Sequence, residues 1–526
     1  MTGTWTLVRV ALRRDRIMLP AWVYGIALLV LSTAASFRSL YPTPESRVGF
    51  AASIRASGAL RALTGPAYGL DTVGGLTAWR SVGLASVVAG LMGLLLVVRH
   101  TRADEEAGRT ELVGAGVVGR YAVLASGLLV ALIGAVSVAV LLVAGLVALG
   151  LPLAGSVATG LAVASAVLVF AAAAALTAQI GASARAAAGS AGALLGAAYV
   201  LRAAGDASTG TLSWLSPIGW AQAVRPYAGQ RWAVLLLPAV LAVALAAGAA
   251  ALVPRRDVGA GLLPSRLGPP DAAPGLRSPW ALACRLQRGT LLGWTVGYLL
   301  AGIAVGTVAA DTADLVGDNS GITDIVRRLG GAGDIVDSYL ASVLGLMGLV
   351  AAGYAVAATL RLRTEETEQR AEPVLATGVS RTRWALAHVL VAALGTGWLL
   401  LVGGTALGLV HGLRVHDVAG ELGAITAAAL AQVPAAWVLG GLAVLVTGVA
   451  PRLVALGWVA VGLCLGLGQI GELLELPGWL LDLSPFRHVP QLPVDSAPVR
   501  PLVLLLALAL ALALGGLSGL RRRDIG

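Results

Sequence analysis

The chain has 526 residues, of which 57% are hydrophobic and 12% are charged, with a mean hydropathy of +0.85. Soluble domains carry about 25% charged residues, so this composition excludes an ordinary soluble domain and requires that much of the surface faces lipid. The net charge of +10 is spread between apolar runs, so we expect no nucleic-acid partner. All 37 basic residues are arginine, and a P-loop needs its lysine, so the chain has no ATPase site of that kind.

The chain opens with an arginine-bearing amphipathic stretch, Trp5–Arg16, and a similar stretch, Trp280–Arg288, lies near its middle. We predict that both are interfacial helices whose basic sides face anionic lipid. The apolar run after Arg16 is longer than the roughly 7–15 residues of a signal peptide, so we interpret it as a retained helix. The residues that mark the two interfacial helices are Trp5, Arg9, Arg13, Trp280, Arg285 and Arg288.

Twelve apolar stretches are long enough to cross a bilayer, which takes about 20 residues in a helix. They form two groups of six. The predicted spans are 19–37, 79–98, 121–149, 157–180, 184–203 and 232–253 in the first group, and 291–310, 339–360, 384–410, 422–447, 452–471 and 499–519 in the second. The sequence therefore predicts an all-α integral membrane protein with about 12 transmembrane helices in two tandem six-helix repeats.

Three short sequence signals occur twice in the same order, at spacings of 261, 268 and 267 residues. Such a repeat indicates a tandem duplication, and duplicated apolar chains are typical of transporters built from two related halves. The three pairs are Asp104–Glu111 with Glu365–Glu372, Leu215–Pro217 with Leu483–Pro485, and Arg255–Gly259 with Arg522–Gly526.

The repeat predicts a domain organisation and an orientation. We expect a first transmembrane domain at 1–253, a cytoplasmic linker with six prolines at 254–279, and a second transmembrane domain at 280–526. With a cytoplasmic N-terminus, 24 arginines fall on the cytoplasmic side and 13 on the other, which is the expected bias. Both termini are then cytoplasmic, and segments 38–78 and 311–338 are external.

The most charged segments, 99–120 and 361–383, each lie between the second and third spans of their half. Acid-first pairs four residues apart, Glu105 with Arg109 and Glu366 with Arg370, favour short helices. Their matched positions indicate cytoplasmic helices on which a motor protein docks. The candidate coupling residues are Glu105, Glu106, Arg109, Glu111, Arg120, Glu365, Glu366, Arg370, Glu372 and Arg381.

Polar residues inside the spans are few, and no Asp, Glu or Arg lies clearly in the middle of one. Ionisable groups at membrane depth usually mark ion or proton pathways, so their scarcity argues against ion-coupled transport. It favours an apolar cavity for a bulky lipophilic substrate, with Gln179, Gln432 and Gln469 as possible polar groups of that cavity. Cys284 and Cys464 lie in different halves and are interpreted as packing residues.

Together, the six spans per half, the opening amphipathic helix and the loop Glu-Glu-x-x-x-Arg-x-Glu resemble ABC-2 type exporter permeases. The fused twelve-span form is similar to the polyketide-antibiotic (tetronasin-type) exporters, and the best-matched pieces are Arg102–Arg120 and Arg363–Arg383. The resemblance implies a permease in a bacterial cytoplasmic membrane, with no cofactor of its own. Two copies of a separate P-loop ATPase, carrying ATP and magnesium, would dock on the two loops.

Two other classes remain open on the residues alone. A proton-driven 6+6 multidrug antiporter shares the span count, but it typically has a Gly-x-x-x-Asp-Arg-x-Gly-Arg-Arg-like run after span two, and this chain has none. A membrane-embedded lipid-linked transferase needs acidic groups at one membrane face, such as the aspartates at 311–337 or Glu472, Glu475 and Asp482. Those groups have no metal-ligand spacing and do not recur in both halves.

Overall fold

Every regular element in the described part of the chain is helical, which confirms the predicted all-α class. The chain divides into two compact units, residues 1–268 and 269–526, and the division falls inside the proline-rich segment 254–279. The computed structural model describes residues 2–56, 64–207, 210–257, 259–263, 270–317, 332–470, 477–490, 492 and 499–523.

The first unit contains five helices of 23 to 28 residues and a sixth helical stretch of 24 residues, Trp232–Arg255, that are apolar enough to span a bilayer, together with shorter connecting helices. Its helices are α1 (Thr4–Arg14), α2 (Met18–Leu40), α3 (Pro44–Ala56), α4 (Val73–His100), α5 (Arg102–Glu106), α6 (Arg109–Gly114), α7 (Ala122–Ala148), α8 (Leu153–Ile180), α9 (Ala184–Ala207), α10 (Pro217–Ala223) and α11 (Leu236–Leu252).

The predicted first interfacial helix is α1, and it is separate from the span that follows. The chain turns at residues 15–17 before α2 begins, because Pro20 in the first turn of α2 has no N–H to continue a helix from α1. Val8 and Ala11 of α1 are buried in the main hydrophobic core of this unit, together with Ile26 of α2 and Met92 of α4. This core fixes α1 against the spans.

The second unit repeats the order of spans but joins some elements differently. Its helices are α12 (Pro279–Gly317), α13 (Ala332–Thr367), α14 (Ala371–Ala376), α15 (Arg381–Val415), α16 (Val418–Leu430), α17 (Val433–Val449), α18 (Ala455–Ile470), α19 (Gly478–Leu481) and α20 (Val499–Arg522).

The second predicted interfacial stretch, Trp280–Arg288, is helical but does not form a helix of its own. Trp280, Arg285 and Arg288 lie in the first turns of α12, which continues for 39 residues into the predicted span. No proline or glycine interrupts the chain between Pro279 and Arg288, so the helix that begins there has no reason to stop before the span.

Eleven helices in the described part of the chain are long and apolar enough to cross a membrane, and they include eleven of the twelve predicted spans. The span predicted at 422–447 is divided into α16 and α17 where Pro434 interrupts the helix. The twelfth prediction corresponds to α18, which has 16 described residues and ends at the edge of the described chain. Sixteen residues rise about 24 Å, less than the roughly 30 Å of a bilayer core.

Small residues permit close helix packing inside the units. A side chain at Gly448 of α17 would come within 2.0 Å of the carbonyl oxygen of Gly516 on α20, so the two backbones touch here. This is the packing expected of membrane helices, where small residues let backbones approach. Large apolar side chains such as Val240, Val243 and Leu508 lie instead on the outside, where lipid would cover them.

Candidate functional site

The two charged loops occupy the same place in their own units, at the end of the second span and the beginning of the third. In the first unit the loop consists of α5 and α6, joined at Gly108. In the second unit α13 extends to Thr367, and α14 follows after Gln369. Gly108 and Gln369 are aligned by the repeat and both adopt the left-handed backbone conformation, with φ of 69° and 56°.

A buried cluster of charges fixes the inner side of the first loop. Glu105 accepts from Arg102 at 2.8 Å and from Arg256 at 2.7 Å, and its side chain is only 6% exposed. We call Arg102, Glu105 and Arg256 the first brace. Arg256 follows the last span of the unit, so the brace connects the loop to the end of that span. Each charge in it has an opposite partner, which a buried charge requires.

The second unit contains the same arrangement at the aligned positions. Glu366 accepts from Arg363 at 3.1 Å and from Arg523 at 2.5 Å. We call Arg363, Glu366 and Arg523 the second brace, and Arg523 again follows the last span of its unit. Two of the three repeated sequence signals, the acidic loop and the Arg-Arg-Asp run, therefore meet in space in both units.

Each brace is extended by hydrogen bonds to backbone carbonyl groups. Arg102 donates to the carbonyl oxygens of Ala182 at 2.6 Å, Gly259 at 3.0 Å and Ala260 at 3.0 Å. Arg120 donates to Val253 at 3.4 Å, and its counterpart Arg381 donates to Arg523 at 2.6 Å. These bonds connect the loops to the ends of further spans.

The predicted pairs four residues apart are wrong. Arg109 contacts Asp104 at 2.7 Å, and Arg370 contacts Glu365 at 3.7 Å, so both arginines pair five residues back. Arg370 also pairs with Glu368. The left-handed residue before each arginine ends the helix, which removes the α-helical register that the prediction assumed.

Asp104 and Glu365 each have a second ion-pair partner, and this partner differs between the units. Asp104 pairs with Arg14 of α1 at 2.7 Å, whereas Glu365 pairs with Arg361 of its own helix at 2.7 Å. The hydrogen bond to Asp104 raises the pKa of the Arg14 guanidinium above its usual value. A second link joins α1 to α4, because the buried carboxylate of Asp15 lies 2.5 Å from Nε2 of His100. The first loop is therefore tied to the interfacial helix.

The outer sides of the loops are exposed. Glu106 caps α9 by accepting from the amide of Ala184 at 2.8 Å. Beyond it, Glu111, Leu112 and Val117 form what we call the first tip, in which Leu112 is 80% and Val117 is 88% exposed. The second tip consists of Glu372 and Pro373, both exposed. Within the described residues, neither Glu111 nor Glu372 takes part in an ion pair.

The glutamines predicted for a cavity have different surroundings. Gln179 accepts from Nε of Arg256 at 2.7 Å, so it supports the first brace and is not available to a cavity. Gln432 is buried beside Gly348, and its Oε1 has no hydrogen-bond partner in the described chain. The side chain of Gln469 lies outside the described residues.

Sequence reasoning missed Arg256 and Arg523 as site residues. The signal was present, because both belong to the Arg-Arg-Asp run that the repeat identified, but the run was not connected with the loops. It also missed an open groove of about 690 Å³ between α12 and α13. Among the residues that line this groove are Trp294, Tyr298, Val305, Leu346, Met347 and Val350.

Comparisons with known proteins agree with this architecture. Residues 276–521 match the family described as the C-terminal domain of the multidrug efflux system permease Rv1217c. The whole chain is 44% identical to the multidrug efflux system permease protein Rv1217c of Mycobacterium tuberculosis, across 95% of that relative. This degree of identity over the full length establishes a common family. The chain therefore belongs to the ABC-2 type exporter permeases, in the family of the multidrug efflux system permease Rv1217c.

Proposed function

We propose that this permease is the membrane subunit of an ATP-driven exporter, whose two ATPase copies are separate chains docked on the two charged loops. The observation that carries the proposal is the pair of braces, Arg102–Glu105–Arg256 and Arg363–Glu366–Arg523, which occur at aligned positions. A solvated connector has no need of a buried glutamate held between two arginines. A loop that transmits force to the spans does need a rigid attachment.

The two sides of each loop have different roles in this proposal. The buried brace holds the loop against the end of the last span, and the exposed tip contacts the ATPase. Leu112 and Val117 supply apolar contact area. Glu111 and Glu372, which form no ion pair with any described residue, supply charge for arginine or lysine side chains of the partner. Losing a desolvated charge pair at such an interface costs about 2–5 kcal/mol.

An open apolar groove in the second unit supports a proposal for the substrate class. Its walls are mainly aliphatic and aromatic, with Trp294, Tyr298 and Met347 among them, and its volume of about 690 Å³ lies in the range of drug-sized ligands. We propose that the permease exports bulky lipophilic compounds, drug-like or polyketide in character. The relative in Mycobacterium tuberculosis is described as a multidrug efflux permease, which supports this proposal.

The same arrangement supports an orientation with both termini in the cytoplasm. In the first unit the amide of Gly119 donates to the carbonyl of Thr2 at 3.0 Å, so the N-terminal segment lies beside the loop. In the second unit Arg523, near the C-terminus, contacts the loop directly. If the ATPases dock on the loops, these ends share the cytoplasmic side, and ATP and magnesium are held by the partner chains.

The test is transport by the chain reconstituted in vesicles, with and without the P-loop ATPase encoded nearest to it. We expect ATP-dependent movement of a lipophilic dye only when both chains are present, and ATP hydrolysis stimulated by that dye. Transport by the permease alone that stops when the proton gradient is collapsed would instead identify an antiporter. Specific ATP hydrolysis by the purified permease alone would also contradict the proposal.

A further inference from the structure

Three arginines near the start of the chain, two on the interfacial helix and one in the turn after it, have no acidic partner in the described part of the chain. Within the described residues Arg9, Arg13 and Arg16 form no ion pair, although each is exposed. Their neighbours behave differently, because Arg14 pairs with Asp104 and Arg99 pairs with Asp15. The three arginines therefore differ from Arg14 and Arg99, whose charges are neutralised by ion pairs.

These arginines border one open concavity of about 610 Å³, whose other walls are apolar. Arg9 and Arg13 are four residues apart on α1, so their side chains project from the same side, and Arg16 in the turn after α1 borders the same concavity. Trp5 precedes Arg9 by four residues and extends that row; it is 64% exposed. The lining residues are Trp5, Val8, Arg9, Leu12, Arg13 and Arg16.

The surroundings identify the ligand as a lipid. Only residues 15–17 separate α1 from the span α2, so the concavity lies at the level where the bilayer begins. Tryptophan favours that level, and arginines there attract anionic headgroups. An apolar wall beside three guanidinium groups matches a molecule with a phosphate at one end and acyl chains at the other.

We propose that this concavity binds one anionic phospholipid, with its phosphate against Arg9, Arg13 and Arg16 and its acyl chains along Trp5 and Leu12. The bound lipid fixes α1 at the membrane surface. Because Arg14 and Asp15 of the same region contact Asp104 and His100, the lipid also steadies the first loop. Lipid binding itself does not depend on whether an ATPase docks.

The experiment is native mass spectrometry of the full-length permease, extracted from nanodiscs that contain phosphatidylcholine with or without phosphatidylglycerol. The fraction of protein that retains bound phosphatidylglycerol should be at least tenfold lower for the triple variant R9Q/R13Q/R16Q than for the wild-type chain. The matched control R285Q/R288Q removes exposed arginines from the start of α12 and should retain it normally. R9K/R13K/R16K keeps the charge and should retain an intermediate amount.

Three outcomes would overturn the proposal. The first is equal retention of phosphatidylglycerol by the triple variant and the wild-type chain. The second is an equal loss in R285Q/R288Q, which would indicate general charge attraction without a site. The third is displacement of phosphatidylglycerol by millimolar inorganic phosphate, which would indicate a site for a free anion. Size-exclusion chromatography shows whether each variant is folded, and the lysine variant keeps the test valid if the glutamine variant aggregates.

Discussion

The two charged loops are alike on their inner sides and different on their outer sides. Both braces set one glutamate between two arginines at aligned positions, and in both the second arginine follows the last span of the unit. The tips differ, because Pro373 stands where Leu112 does and Gln369 stands where Gly108 does. The attachment to the spans has been retained while the surface offered to a partner has diverged.

A second difference concerns what else each loop contacts. Asp104 reaches Arg14 of the interfacial helix, whereas Glu365 is paired with Arg361 of the same helix. The first loop is therefore tied to a separate helix, whereas the second is not, since α12 is continuous. The comparison teaches that the two loops are attached unequally within their own units.

The largest expected effect comes from removing the central acid of a brace. Glu105→Gln leaves Arg102 and Arg256 facing one another in a buried place, which costs about 3–5 kcal/mol of local stability. Glu366→Gln should cost less, because solvent screens the 32% exposed side chain of Arg363. Hydrogen exchange of the loop amides should rise in the affected unit and stay normal in the other. The matched control is Glu111→Gln, which changes an exposed acid. Equal exchange in all three variants would contradict the role of the braces.

The second largest loss of loop stability should come from replacing the arginines that follow the last spans. Arg256→Gln and Arg523→Gln should lower loop stability by about 2 kcal/mol, because a hydrogen bond to a charged group is lost while the glutamate keeps one arginine. Their neighbours offer close controls, since Arg255 and Arg522 are exposed and lie outside the braces. If Arg255→Gln or Arg522→Gln destabilised its loop as much as the brace variant does, the assignment would be wrong.

A smaller effect should follow from exchanging the two residues in the left-handed conformation, Gly108 and Gln369. Gly108→Gln places a side chain in the left-handed conformation, which costs about 1–2 kcal/mol, and no atom lies within 4 Å of the new Cβ. Gln369→Gly should relieve part of the same strain in the second loop. Opposite changes in amide exchange of the two loops would match this expectation, and changes of the same sign would not.

The smallest effect should distinguish the two loops by their links to α1. Arg14→Gln removes a partly exposed ion pair worth about 0–1 kcal/mol, and it should loosen only the first loop. The second loop serves as the internal control, measured on the same molecule by the same exchange experiment. Loosening of both loops, or of neither, would remove the proposed inequality between them.

Much of the fold could be predicted because apolar runs of spanning length are a strong signal. Pro20 separates α1 from α2. The corresponding region near Trp280 has no proline to interrupt the helix, so the amphipathic stretch there is continuous with its span. Likewise the length of α18 depends on where a helix of Ala, Gly and Leu ends, which hydropathy alone does not determine.

The site was harder to predict, because its contacts join distant parts of the chain. Glu105 and Arg256 are 151 residues apart, and only folding brings them together. The repeat contained both partners, yet spacing along the chain does not reveal which repeated signals touch. The pairing of Arg109 was mistaken because left-handed backbone at Gly108 cannot be inferred from a helix-favouring pattern of charges.

The most direct test of the central claim is binding of the candidate ATPase to permeases altered at the tips. Glu111→Arg with Leu112→Asp in the first loop, and Glu372→Arg in the second, change exposed residues and leave both braces intact. We expect that combining all three changes abolishes retention of the ATPase in a pull-down from nanodiscs and abolishes ATP-driven transport, while the permease stays folded. Normal ATPase binding and transport by this variant would show that the loops are only connectors.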